Sequence, residues 1–192
     1  MFSKDSQKDI KIDGDNNKIV KGNNTENHFH GPTTKLSNLF ACLKTQFENQ
    51  DNEEEIRDIS DSLSRYLNPK DTLGLEKKLE LQGKAHFEED FSELKQLFSK
   101  KLHLYRNYEP AREIFTFLLA IILEKYRNVI KPLIRDNATE KEILQNISEK
   151  IIDPINSLIQ SEGCDDIMGL NSEIIEGMYH YLTGNCHINW VL

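Results

Sequence analysis

The chain has 192 residues, with 24 Lys and Arg against 32 Asp and Glu and a formal net charge of -8. That length suffices for one domain with a substantial core, or for a small domain with an appendage. The acidic balance argues against a protein that grips a phosphate backbone, which needs clustered Lys and Arg. The densest basic group, Lys95, Lys100, Lys101 and Arg106, reads as a solvated helix face. Cys42, Cys164 and Cys186 are far apart and odd in number, which fits a reducing compartment and no disulfide framework. Met1-Phe2-Ser3-Lys4-Asp5 leads into charge with no apolar leader. The longest apolar run, Ile114 to Leu123, falls well short of the roughly twenty residues that a membrane span requires. A cytoplasmic protein with no membrane partner is expected.

Composition shifts near Gly31-Pro32 and divides the chain into an arm, 1–33, and a helical domain, 34–192. In the arm, Ile12-Asp13-Gly14-Asp15-Asn16-Asn17 is echoed by Val20-Lys21-Gly22-Asn23-Asn24, with Ile10-Lys11-Ile12 and Lys18-Ile19-Val20 as short apolar runs. Asn-rich Gly turns between β-branched residues are hairpin signals. The segment reads either as a polar arm or small flap, or as a β-element that pairs with the same segment of other copies. Ile12, Asn16, Asn17, Ile19, Val20, Asn23 and Asn24 are the candidate interaction residues, and a homo-oligomer is the expected outcome.

From Thr34 the apolar period becomes helical. Leu36, Leu39, Phe40, Leu43 and Phe47 share a face, with Thr34 or Ser37 as cap. After the acidic run from Asp51 to Glu55 come Ile56, Ile59, Leu63, Tyr66 and Leu67, stopped at Asn68-Pro69. A helix from Thr72 to Leu81 ends at Gly83, and a longer one carries Phe87, Phe91, Leu94, Phe98, Leu102 and Tyr105. The most apolar helix spans 110–130 and is expected to end at Pro132. Thr139 and Glu142 form a capping-box pattern before Ile143, Ile147, Ile151 and Ile152. Pro154 kinks or restarts that helix, and Gly163 closes it. A last helix, 171–182, buries Ile174, Ile175, Met178, Tyr181 and Leu182, with Gly184 as its cap. Residues 186–192 read as a short strand that could pair with the N-terminal β-segment. The expected fold is mainly α, a multi-helix bundle with β confined to the two ends.

Chemistry is sparse. There is no phosphate-cradling Gly-rich loop and no nucleophile elbow. His180, Cys186, His187 and Cys164 are the candidate zinc ligands, but neighbours on a strand point to opposite faces, so Cys186 and His187 could not easily share a metal. His28 and His30 would lie on one strand face, and Cys186 with His180 is the one candidate nucleophile and base pair. No cofactor, no metal and no catalytic residue is therefore assigned. Trp190 should be docked, because an end this apolar gains from burial.

The segment Leu182-Thr183-Gly184-Asn185-Cys186-His187-Ile188-Asn189-Trp190 resembles the Gly-x-Cys-His-(Ile/Val)-x-Trp ending of C-terminal domains in bacterial ABC-three-component anti-phage systems. The resemblance rests on Gly184, Cys186, His187 and Trp190. It implies a helical accessory domain working with an ABC ATPase. In that family an effector often precedes the domain; here the Asn/Gly-rich arm stands in its place, similar to turn repeats in front of other bacterial conflict-system modules. The resemblance therefore implies a non-enzymatic adaptor or sensor subunit, with an ABC ATPase or effector encoded separately. The alternatives are a generic helical regulatory protein that oligomerises through its arm, and a Cys/His enzyme or metalloprotein.

Overall fold

The computed structural model describes residues 34–49, 61–69, 74–81, 83–163 and 165–190. The N-terminal repeat, with Ile12, Asn16, Asn17, Ile19, Val20, Asn23 and Asn24, lies outside the described residues, as do Ile56 and Ile59. Among the described residues the chain is helical and forms no strand.

The first helix, α1 (Lys35–Glu48), opens on a reciprocal cap: Ser37 N–H donates to the Thr34 hydroxyl and Thr34 N–H donates to the Ser37 hydroxyl, both at 3.1 Å. Serine here performs the return bond usually made by Glu or Gln. Leu36, Phe40 and Leu43 are buried, whereas Phe47 stays 43% exposed. α2 (Asp61–Leu67) and α3 (Leu75–Leu81) add Leu63, Tyr66, Leu75 and Leu79 to the core. Gly83 follows at φ +67, where a Cβ would be strained. A 3-10 turn, Ala85–Phe87, leads into α4 (Glu88–Tyr105). α5 (Glu109–Lys125) packs against α1, α2, α4 and α9, and its Ala111, Ile114, Phe115, Leu118, Leu119 and Ile122 are fully buried. Each such large side chain contributes about 1.5–3 kcal/mol relative to exposure. No described helix is long and apolar enough to cross a membrane.

Pro132 does not end the apolar helix. A π-helical turn, Tyr126–Ile130, carries α5 directly into α6 (Lys131–Arg135), with Lys131 N–H bonded to the Tyr126 carbonyl. The same arrangement recurs at Pro154: α7 (Glu140–Ile147) passes through a π turn, Ser148–Ile152, into α8 (Asp153–Glu162), with Asp153 N–H bonded to the Ser148 carbonyl. A proline clashes with the carbonyl four residues back and offers it no N–H. Widening the preceding turn by one residue relieves both problems and lets each helical run continue. Thr139 caps α7 as expected, accepting from Glu142 N–H, and Gly163 closes α8.

α9 (Ser172–Gly184) is capped by the Asn171 side chain and is buried nearly all round, including Ile174, Ile175, Met178, Tyr179, His180, Leu182 and Thr183. Tyr181, expected inside, is only half-buried. α9 runs antiparallel to α4, as shown by the contacts of Phe91 with His180, of Leu94 with Gly177, and of the Tyr105 hydroxyl with the Ile167 carbonyl at 3.0 Å. Gly177 makes this possible. A Cβ there would overlap the Leu94 carbonyl oxygen and lie 3.1 Å from Phe98 Cβ. Backbone cannot swing aside as a flexible side chain can. Gly177→Ala should therefore destabilise the fold by about 2–3 kcal/mol, read as a lower urea midpoint. Gly74→Ala, where an added Cβ meets nothing within 4 Å, should cost less than about 1 kcal/mol.

Candidate functional site

The residues after α9 form a turn, not the expected strand. Cys186 N–H donates to the Thr183 carbonyl at 3.1 Å, while His187 and Ile188 N–H both reach the Leu182 carbonyl, at 2.9 and 3.3 Å. These donors are directed back onto the helix end and not outward into a strand ladder. The left-handed residue is Cys186, at φ 65; Gly184 is the last helical residue and not a left-handed cap. Gly184 is small for a different reason: its face receives Lys95, whose Nζ and Cε would lie 2.9 and 3.1 Å from a Cβ. Buried Lys78 donates to the Thr183 carbonyl at 2.7 Å. A cation is favourable at the negative end of a helix.

The turn is fastened on three sides. Asn185 Nδ2 donates to the Tyr66 and Leu67 carbonyls at 3.1 and 3.3 Å, tying it to the end of α2. The Tyr126 hydroxyl donates to the Asn189 carbonyl at 2.8 Å and accepts from Asn189 N–H at 3.1 Å. Burial raises the Tyr126 pKa, and the Asn189 bond offsets part of that rise. Ile188 is fully buried, and His187 lies against Tyr66 with ring centres 6.1 Å apart. Trp190, 4% exposed, packs on Phe91 at 5.5 Å and meets Tyr179 edge-on at 6.2 Å. Gly184, Cys186, His187 and Trp190 are thus brought into one packed turn.

Cys186 and His187 do not occupy opposite faces of a strand, because there is no strand to give them faces. Among the described residues no group of three or more His, Cys, Asp or Glu is placed to hold a metal ion. Cys164, His28 and His30 lie outside the described residues. His180 stacks on Phe91 at 3.7 Å, and neither ring nitrogen has a hydrogen-bond partner. It is therefore not hydrogen-bonded to the Cys186 thiol, which is directed at the Gly184 carbonyl at 4.0 Å. The nearest carboxylate, Glu176, stands 3.8 Å from Nε2, beyond hydrogen-bond length. Burial lowers the His180 pKa, partly countered by Glu176.

His180 lines a cleft of about 640 Å³ between α4, the α7–α8 run and α9. Its apolar lining includes Phe87, Leu94, Leu97, Leu144, Ile147 and Ile152. Asp90, Glu93, Asp153, Glu173 and Glu176 also line it, and no Lys or Arg does. None of these carboxylates stands out in the sequence as a site residue. The signal was present within each helix: Glu173, Glu176 and His180 are spaced three and four residues apart, as are Asp90, Glu93 and Leu97. Their convergence is tertiary.

Residues 74–190 match the family model described as C-terminal domain 9 of the ABC-three component (ABC-3C) systems. The match runs from the residue before α3 to Trp190 and covers more than half of the chain, which belongs to that family. Neither a curated protein nor a solved structure matches the chain.

Two variants test the fastening of the turn. Trp190→Ala should cost about 3–5 kcal/mol of unfolding free energy in urea titrations. Tyr126→Phe removes the hydroxyl that serves Asn189 in both directions and should cost about 1–3 kcal/mol. His180 gives a pH signature. Its folded pKa is depressed, so as pH falls through about 6.5 the unfolded chain takes up the proton first. The contribution is intact above that pH and is lost below it, until the folded pKa is reached. His180→Phe should flatten the loss of stability between about pH 7.5 and 5.5 relative to the parent.

Proposed function

We propose that this member of the C-terminal domain 9 family is a non-enzymatic interaction subunit, an adaptor or sensor, of an anti-phage defence complex that includes a separately encoded ABC ATPase or effector. The observation that carries it is the family match, which spans α3 to α9 together with the C-terminal turn. The chemistry of that turn supports the same reading. Lys78 is engaged with the end of α9, Asn185 with the end of α2, and the Asn189 backbone with Tyr126. Polar groups so placed hold a helix end in position and present no reacting atom to a substrate. The N-terminal repeat supplies the second part of the proposal: Ile12, Ile19 and Val20 pair between copies, and the Asn/Gly turns allow their stacking. The subunit acts in the cytoplasm, where the ATPase meets its nucleotide.

Expression of the tagged chain with its native neighbouring genes tests both parts. The ABC ATPase should co-purify in fixed ratio, and loss of the chain should raise phage plaquing. A chain that purifies alone from cells containing the ATPase, with plaquing unaffected by its loss, would overturn the defence reading. Deleting residues 1–31 should keep the helical circular dichroism and lower the oligomeric state seen by light scattering. A wild-type monomer at micromolar concentration, alone and in the complex, would end the self-association part.

A further inference from the structure

We propose that the cleft between α4, the α7–α8 run and α9 docks a Lys- or Arg-bearing segment of a partner protein, its cationic heads drawn by the carboxylates that line the cleft, Glu93, Asp153 and Glu176 among them, beside the buried ring of His180. This deepens the interaction-subunit reading and rests on it.

Two of the five carboxylates have a local reason to be there. Asp90 and Glu173 stand in the first turns of α4 and α9, where the helix dipole favours negative charge. Glu93 and Glu176 lie beyond those first turns, and Asp153 follows a continuous helical run through the π turn. The dipole effect fades within one turn. None of these three forms an ion pair with a Lys or Arg among the described residues, so the negative charge lining the cleft has no cation of this chain beside it.

The second observation is independent of charge. His180 is 1% exposed, lines the cleft, and has both ring nitrogens without a hydrogen-bond partner. A neutral imidazole has one donor and one acceptor to satisfy. An ammonium or guanidinium entering the cleft offers N–H groups to the acceptor nitrogen and to the Glu176 carboxylate beside it. The apolar lining suits the rest of such a side chain: Lys and Arg lay their methylene stems along apolar surface while the head stays with charge. The volume lies in the range where clefts enclose a few side chains. A divalent cation fits less well, because no three of the described carboxylate or imidazole groups converge at ligand distance.

The test uses the full chain and a labelled pentapeptide, Leu-Arg-Lys-Leu-Arg, in fluorescence anisotropy at low salt. The peptide should bind about tenfold tighter than its counterpart with Gln at the three basic positions, and binding should weaken as salt rises. Glu93→Gln with Glu176→Gln should lose about tenfold. Glu109→Gln with Glu124→Gln, an equal charge change on α5 away from the cleft, should leave binding unchanged. Circular dichroism confirms that each variant is folded. Equal binding of the Gln peptide, equal weakening by both double variants, or displacement by micromolar Mn²⁺ would each overturn the proposal. The wild-type chain in its native operon separates the two readings. If the ATPase co-purifies while the basic peptide binds no better than its Gln counterpart, the cleft assignment falls and the interaction-subunit reading stands. If the ATPase fails to co-purify, that reading falls.

Discussion

The approach of α9 to the Leu94 carbonyl at Gly177 governs the rest of the helical body. A helix buried nearly all round can be seated only if its neighbours come close on every side. Contact with α4 is the most extensive helix pairing among the described residues. With no Cβ at Gly177, the two backbones meet at one level. Phe91 then stacks on His180 and receives Trp190, while Tyr105 reaches the Ile167 carbonyl before α9 begins. The C-terminal turn is a consequence: once α9 is fixed, its last carbonyls face the donors of the following residues, and Tyr126 and Asn185 fasten what remains.

The two π turns solve one problem twice, and the second also lines the cleft. Each precedes a proline by two residues and keeps a helical run going where an α-helical turn would have broken. The second places Ser148 and Ile152 on the cleft wall, with Leu144 and Ile147 before it and Asp153 after it. Pro154 is therefore tolerated by a local widening that also directs the α7–α8 run along the open side of α4 and α9.

That cleft is where local rules of packing are broken together. A buried imidazole without a hydrogen bond weakens a folded state, and interiors otherwise avoid one; the carboxylates around it lie at the solvated mouth of the cleft. The surrounding core supplies the stability that tolerates this, through the wholly buried side chains of α5 and α9. Departures of this kind gather at sites that serve something other than folding.

Helix positions and several boundaries were legible in the sequence, because they depend on periodicity and on residues adjacent in the chain. Thr34 with Ser37, Thr139, and Gly83 each act within a few residues of themselves, so their effect can be read from their neighbours. The family was equally legible, in the resemblance of the C-terminal ending, and the match over residues 74–190 bears out the family. What the chain alone did not reveal depends on which distant groups meet. Residues 186–190 have a strand-like pattern, yet their backbone donors find the carbonyls of their own helix first. Pro132 signals an end, but a wider turn removes the clash. Gly177 is one glycine among nine until Leu94 arrives against it. The acidic cleft arises only when carboxylates from separate helical runs, each unremarkable on its own surface, are held around His180 by packing.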